Sequence, residues 1–78
     1  MSERELVEYI VKTLVAKPDD VKIDVVQGER STIRELHVGP EDLGRVIGKS
    51  GRIAQAMRTL LTAMAAKTGR RVVLEIID

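Results

Sequence analysis

Gly44-Arg45-Val46-Ile47-Gly48-Lys49-Ser50-Gly51-Arg52 (GRVIGKSGR) packs three glycines, three cations and one serine into nine residues. Glycines let a ligand approach the main chain closely, and the cations beside them suit an anion. Two anions compete for such a loop: the triphosphate of a nucleotide in a P-loop, and the sugar-phosphate chain of a single-stranded nucleic acid. A P-loop requires G-x-x-x-x-G-K-[ST] between a strand and a helix. Gly48-Lys49-Ser50 supplies its last three positions, but the first glycine falls on Leu43, and Gly44 is one residue too close. The segment before the loop reads as a helix rather than a strand, and so short a chain leaves no second acidic segment to hold magnesium. The nucleotide-hydrolase reading fails on all three counts.

Outward from the loop, Gly39-Pro40-Glu41-Asp42 opens a short helix, with proline at the first helical position and two acids at the positive end of the dipole. Leu43, Val46 and Ile47 turn inward, and the segment from Gly48 to Gly51 breaks that helix. A long helix follows from Gly51, with Ile53, Met57, Leu60, Leu61 and Met64 recurring at helical spacing among alanines. The methionines fit this core stripe, and no metal is implied. Thr68-Gly69 supplies the stop, and Val72 to Ile77 reads as a closing strand.

Upstream, Ser2-Glu3-Arg4-Glu5 fits a capping box. Leu6, Ile10 and Leu14 beside Val7, Val11 and Val15 form an apolar stripe, which predicts a helix to about Lys17, ending before Pro18. Tyr9, the sole aromatic residue, sits at the edge of that stripe. Val21, Ile23 and Val25 alternate with polar residues as a strand does. Gln27 to Ser31 is a turn, and Thr32 to Val38 a second strand, so the two form an antiparallel hairpin. His37, the only histidine, is expected exposed on that strand, with no partner for catalysis. The order is α-β-β-α-α-β. Strands joined through helices pair in parallel, so the expected fold is α+β, a three-stranded mixed sheet with three helices on one face, in a single domain spanning residues 1–78.

The chain has 78 residues, 44 % hydrophobic and 32 % charged. That is a globular balance with a thin core. Without cysteine there is no disulfide framework, and a reducing cytoplasm is the simplest compartment. No apolar run approaches the ~20 residues that cross a bilayer, and the acidic start MSERELVEYI does not read as a targeting segment. The net charge is only +1, but it is unevenly laid out. Residues 1–43 carry six cations and ten acids, whereas residues 44–74 carry Arg45, Lys49, Arg52, Arg58, Lys67, Arg70 and Arg71 with no acid. Such a run is the electrostatic footprint of an anionic partner.

Val46-Ile47-Gly48-Lys49-Ser50-Gly51-Arg52-Ile53, between two helices and inside this element order, resembles the V-I-G-x-x-G-x-x-I signature of the KH family of single-stranded RNA-binding domains. One spacing departs: isoleucine comes two residues after the second glycine rather than three, and Ala54 takes the third place. The resemblance covers essentially the whole chain and is to the type II, bacterial arrangement in its small free-standing form. It implies a clamp on about four nucleotides. By position, Lys49 and Ser50 would face phosphates, Gly48 and Gly51 would shape the turn, and Gly44, Arg45, Ile47 and Ile53 would line the groove. Val46 and Arg52 complete the implied RNA-binding set. The variable loop would fall near Thr68 to Arg71, from which Arg70 and Arg71 would either reach the RNA or stay solvated. From the residues themselves, the start of the long helix at Gly51, Arg52 and Ile53 offers N–H groups to a phosphate.

An enzyme is the weakest function class here: no acid lies in the basic segment, and no nucleophile sits near a base. No cofactor or catalytic residue is implied. Single-stranded DNA stays open beside RNA. The resemblance further implies a homodimer, or a heterodimer with a larger KH-containing protein, and roles in RNA chaperoning and in cell elongation and division. Val73 and Ile77, or the outer side of the long helix, are the candidate partner surfaces.

Overall fold

Ser2 caps the first helix as its sequence predicts: its hydroxyl accepts the Glu5 N–H and the Glu5 carboxylate accepts the Ser2 N–H, each at 3.1 Å. In the computed structural model, which describes residues 2–77 (Met1 and Asp78 lie outside them), this helix is α1, Glu3–Leu14. It turns Val7 and Val11 into the core. The helix stops three residues earlier than Lys17. The cause is Asp42, whose carboxylate accepts the N–H groups of Ala16 at 2.9 Å and Lys17 at 3.0 Å, the donors that would otherwise continue the helix. A 3-10 turn at Pro18–Asp20 then leads into the sheet.

Strand β1 (Lys22–Gln27) pairs antiparallel with β2 (Ser31–His37), and β2 pairs in parallel with β3 (Arg71–Ile77), in the order β1-β2-β3. Between β2 and β3 the chain passes through a 3-10 turn at Pro40–Asp42, helix α2 (Leu43–Ile47), a 3-10 turn at Lys49–Gly51 and helix α3 (Arg52–Ala65). The fold is thus α+β, three helices on a three-stranded mixed sheet. Leu36 and Leu74 from the sheet meet Val7, Val11, Val46, Met57 and Leu61 from the helices, all essentially buried. Val72 and Ile76 pack partly against this cluster.

Two periodicity readings shift. The core stripe of α3 is Ala54, Met57, Leu61 and Ala65, whereas Leu60 stays 46 % exposed on the outer side. On β1, an edge strand, only Ile23 is buried in the core cluster; Val25 shares its face but is exposed. The sheet face opposite the helices carries Asp24, Glu35 and Glu75 in one cross-strand row. His37 is half-buried there and does have a carboxylate beside it, Asp24, with Nε2 to Oδ2 at 3.4 Å.

Asp42 itself is fully buried. The Ala16 N–H holds its carboxyl below the ordinary carboxylate range, helped by the Lys17 N–H and the Arg45 guanidinium and opposed by burial. A depressed native pKa adds stability above the unfolded value near 3.8, and that stability is lost as pH falls through the native pKa. Asp42→Asn therefore lowers the melting temperature at neutral pH and flattens its decline between about pH 5 and pH 2. Melting curves over that range, parallel for the two proteins, would show that Asp42 is not a stabilising acid.

Candidate nucleic-acid interface

The turn between α2 and α3 follows from its backbone angles. Gly48 lies at φ 77°, ψ 174°, a region closed to side chains, and Gly51 at φ 73°, ψ 17° is left-handed. A Cβ on Gly48 would come within 2.7 Å of Ile53 Cγ1. Ile53 therefore packs down onto Gly48, while Ala54 fills the buried position on α3. This is how the helix accommodates isoleucine one place early. Ser50 is also left-handed, at φ 56°, a conformation that costs a non-glycine residue of order 1 kcal/mol and clusters at functional sites.

Three consecutive links close the turn: the Gly48 N–H donates to the Gly44 carbonyl at 2.9 Å, the Gly51 N–H to Gly48 at 3.2 Å, and the Arg52 N–H to Lys49. Two of the three amides expected to face a phosphate, those of Gly51 and Arg52, are thereby spent on the turn itself. No side chain caps α3. The side chains of Lys49, Ser50 and Arg52 are all exposed around the turn.

Residues 4–76 match the family described as KhpA/KhpB, KH domain. The chain belongs to that family. It is 61 % identical over 77 residues to the RNA-binding protein KhpA of Borreliella burgdorferi, covering 99 % of this chain and 94 % of that one. Against the RNA-binding protein KhpA of Clostridium perfringens the identity is 58 % over 74 residues, 95 % and 99 % of the two chains. Against that of Aquifex aeolicus it is 49 % over 75 residues, 96 % and 95 %. No solved structure matches the chain.

In this KH domain the expected site residues divide into groups. Gly44, Arg45, Lys49, Ser50 and Arg52 are exposed, and Ile47, Gly48, Gly51 and Ile53 are half-buried. Val46 does not belong with them. It is completely buried, so its role is to pin α2 to the core rather than to touch a ligand. Arg45 is exposed yet tethered, donating to Asp42 at 2.6 Å. Arg70 turns towards the β1–β2 hairpin: its guanidinium donates to the Gly28 carbonyl at 3.0 Å and to the Ser31 carbonyl and Thr32 hydroxyl at 3.3 Å. Arg71 is exposed.

Further along, the second half of α3 and the free edge of β3 flank a groove of about 530 Å³, lined by Arg58, Thr62, Ala65 and Ala66 on the helix and by residues 69–74 of the loop and strand. Arg58 and Thr62 carry no motif; Arg58 shows in the sequence only as a member of the basic run, and Thr62 not at all. The edge position of β3, which opens this groove, came from pairing order and not from any local pattern.

Gly44 is the glycine that the protein itself does not need. A Cβ there would meet nothing within 4 Å, yet glycine inside a helix costs about 1 kcal/mol against alanine. The expectation that Gly44 lines the nucleic-acid groove supplies one reason for it, close approach of a ligand. Gly44→Ala is expected to raise unfolding free energy by about 0.5–1 kcal/mol while weakening nucleic-acid binding. Gly48→Ala should instead lose about 1–3 kcal/mol. Urea melts and binding titrations on both variants test this; a Gly44→Ala protein that binds as tightly as wild type sinks the close-approach account.

Proposed function

We propose that this chain is a single-stranded RNA-binding protein, and not an enzyme, that holds the RNA backbone on the Gly48-Lys49-Ser50-Gly51 turn. The observation that carries the reading is the turn's geometry: exposed Lys49 and Ser50 are lifted between two glycines with positive φ, and the groove further along α3 is lined by no acid. The relatives named for RNA binding support the same choice. Phosphates lie against the turn, where Lys49 and Arg52 supply charge and the Ser50 hydroxyl a donor. Bases lie along α3 towards β3, over Ile47 and Ile53. With no aromatic side chain in the groove, stacking adds little, so the backbone contacts set the affinity. The protein works in the cytoplasm as one KH domain, as an RNA chaperone or post-transcriptional regulator.

Leu60, 46 % exposed on the outer side of α3, favours a second reading beside this one. In it, the chain pairs through that helix with a copy of itself or with a larger KH-containing protein, and acts as an adaptor in control of cell elongation and division. Two linked KH units gain affinity by effective concentration without new contacts.

The test is fluorescence anisotropy of a short single-stranded RNA across a salt series, with wild type and Lys49→Asp/Ser50→Asp. Counterion release from single strands gives a log–log slope of about −0.7 per phosphate contact, so two to three contacts give about −1.5 to −2. Aspartate tolerates the left-handed conformation at position 50, so the double variant should stay folded while losing binding and slope together. Equal binding by the two folded proteins would remove the turn as the site and leave the adaptor reading.

A further inference from the structure

Arg58 stands on α3 six residues beyond Arg52, about 9 Å along the helix axis at 1.5 Å per residue. Its Nε and Nη2 both lie 3.4 Å from the carbonyl oxygen of Leu74, across the groove on β3. Those two donors belong to one side of the planar guanidinium, so the strand carbonyl fixes the plane of the group. The other fork, formed by the N–H groups of Nη1 and the outer proton of Nη2, remains free: among the described residues Arg58 makes no ion pair. Around it the groove is lined by Thr62, Ala65 and Ala66 of the helix, by Val72 and Val73 of the strand, and at its loop end by Arg70 and Arg71.

We propose that Arg58 determines base specificity by presenting this free fork to the O6 and N7 acceptors of a guanine lying in the groove. The inference rests on the RNA-binding reading above. A fixed fork of two parallel donors needs two adjacent acceptors. The Hoogsteen edge of guanine has them, whereas adenine places the N6 amine beside N7 and meets the fork with a donor. Cytosine also has an adjacent pair, O2 and N3, but its neighbouring N4 amine needs an acceptor. Arg58 already occupies the Leu74 carbonyl, the strand-edge acceptor facing it, and an unpaired amine in a groove counts against cytosine. The alanines and valines suit the face of a base, but Arg58 and Arg71 would also attract a phosphate, so the response to loss of N7 is what separates base reading from a phosphate contact.

The experiment uses uridine octamers carrying one guanosine at each position in turn, titrated into the wild-type protein. At the position bound most tightly, guanosine is replaced by 7-deazaguanosine, inosine, adenosine or cytidine. The expected result is about tenfold weaker binding for 7-deazaguanosine, which lacks only the N7 acceptor, with inosine close to guanosine. Arg58→Met keeps the aliphatic stem and removes every donor, and should bind guanosine and 7-deazaguanosine alike. Equal wild-type affinity for those two RNAs overturns the proposal, as does cytidine binding more tightly than guanosine. So does Arg58→Met weakening every octamer equally, with a shallower salt slope, the mark of a lost phosphate contact. Failure here is separable from failure of the RNA reading. If Lys49→Asp/Ser50→Asp abolishes binding while 7-deazaguanosine has no effect, the turn stands and the role of Arg58 falls.

Discussion

The buried carboxylate of Asp42 is the contact on which the arrangement of the helices depends. A carboxylate with no exposed surface is costly unless its lone pairs are filled. Here the filling comes from two backbone amides beyond the end of α1 and from Arg45 on the helix that leads into the turn. One side chain thus ends α1, joins it to the start of α2 and orients a cation on the binding side. The exposed ion pair of Lys17 with Glu41, at 2.7 Å, spans the same junction, but pairs this open to water contribute little. The start of the helix that leads into the turn is thus set by a core-facing acid on the residue before it.

The glycines around the turn answer to different constraints. Gly48 is required twice over, by its backbone angles and by Ile53 packed on it. Gly51 is required by conformation alone, since a Cβ there would meet nothing. Gly44 is required by neither. Ser50 completes the set from the other direction, a side chain held where glycine would be easier. A turn optimised only for folding would place glycine at 50 and alanine at 44. The sequence does the opposite, trading stability for a hydroxyl at the tip and for open space on the preceding helix.

Much of this fold was legible because local chemistry and long-range packing agree. The Ser2–Glu5 capping box, the hairpin, the parallel return of β3 and the two-helix turn all carry strong local marks, and all are present. What failed to show depends on partners remote in sequence. Asp42 reads as a favourable acid at a helix start, and nothing nearby announces that Ala16 and Lys17 will donate to it from 25 or more residues away. Leu60 and Leu61 are equally apolar, and only the position of the sheet decides that Leu61 is buried. Val46 belongs to a binding signature by pattern and to the core by geometry. The groove past the turn needs the edge of β3, a matter of strand order that no single segment encodes.

The basic run of residues 44–74 teaches the same lesson about charge. Seven cations without an acid suggest a uniform attractive field, but the fold employs three of them elsewhere. Arg45 answers Asp42, Arg58 lies on the Leu74 carbonyl and Arg70 closes on the hairpin turn. Lys49, Arg52, Lys67 and Arg71 form no ion pair among the described residues, and only Lys49 and Arg52 belong to the turn. An estimate of phosphate contacts from composition would therefore be too high by more than a factor of two. The tethered arginines still carry charge, but each is tied to a partner within the protein. A guanidinium held this way gives up some general attraction and becomes able to discriminate by shape, whereas a free lysine at the tip of a turn does the reverse. The domain keeps both kinds, with the mobile charge at the turn and the oriented one in the groove.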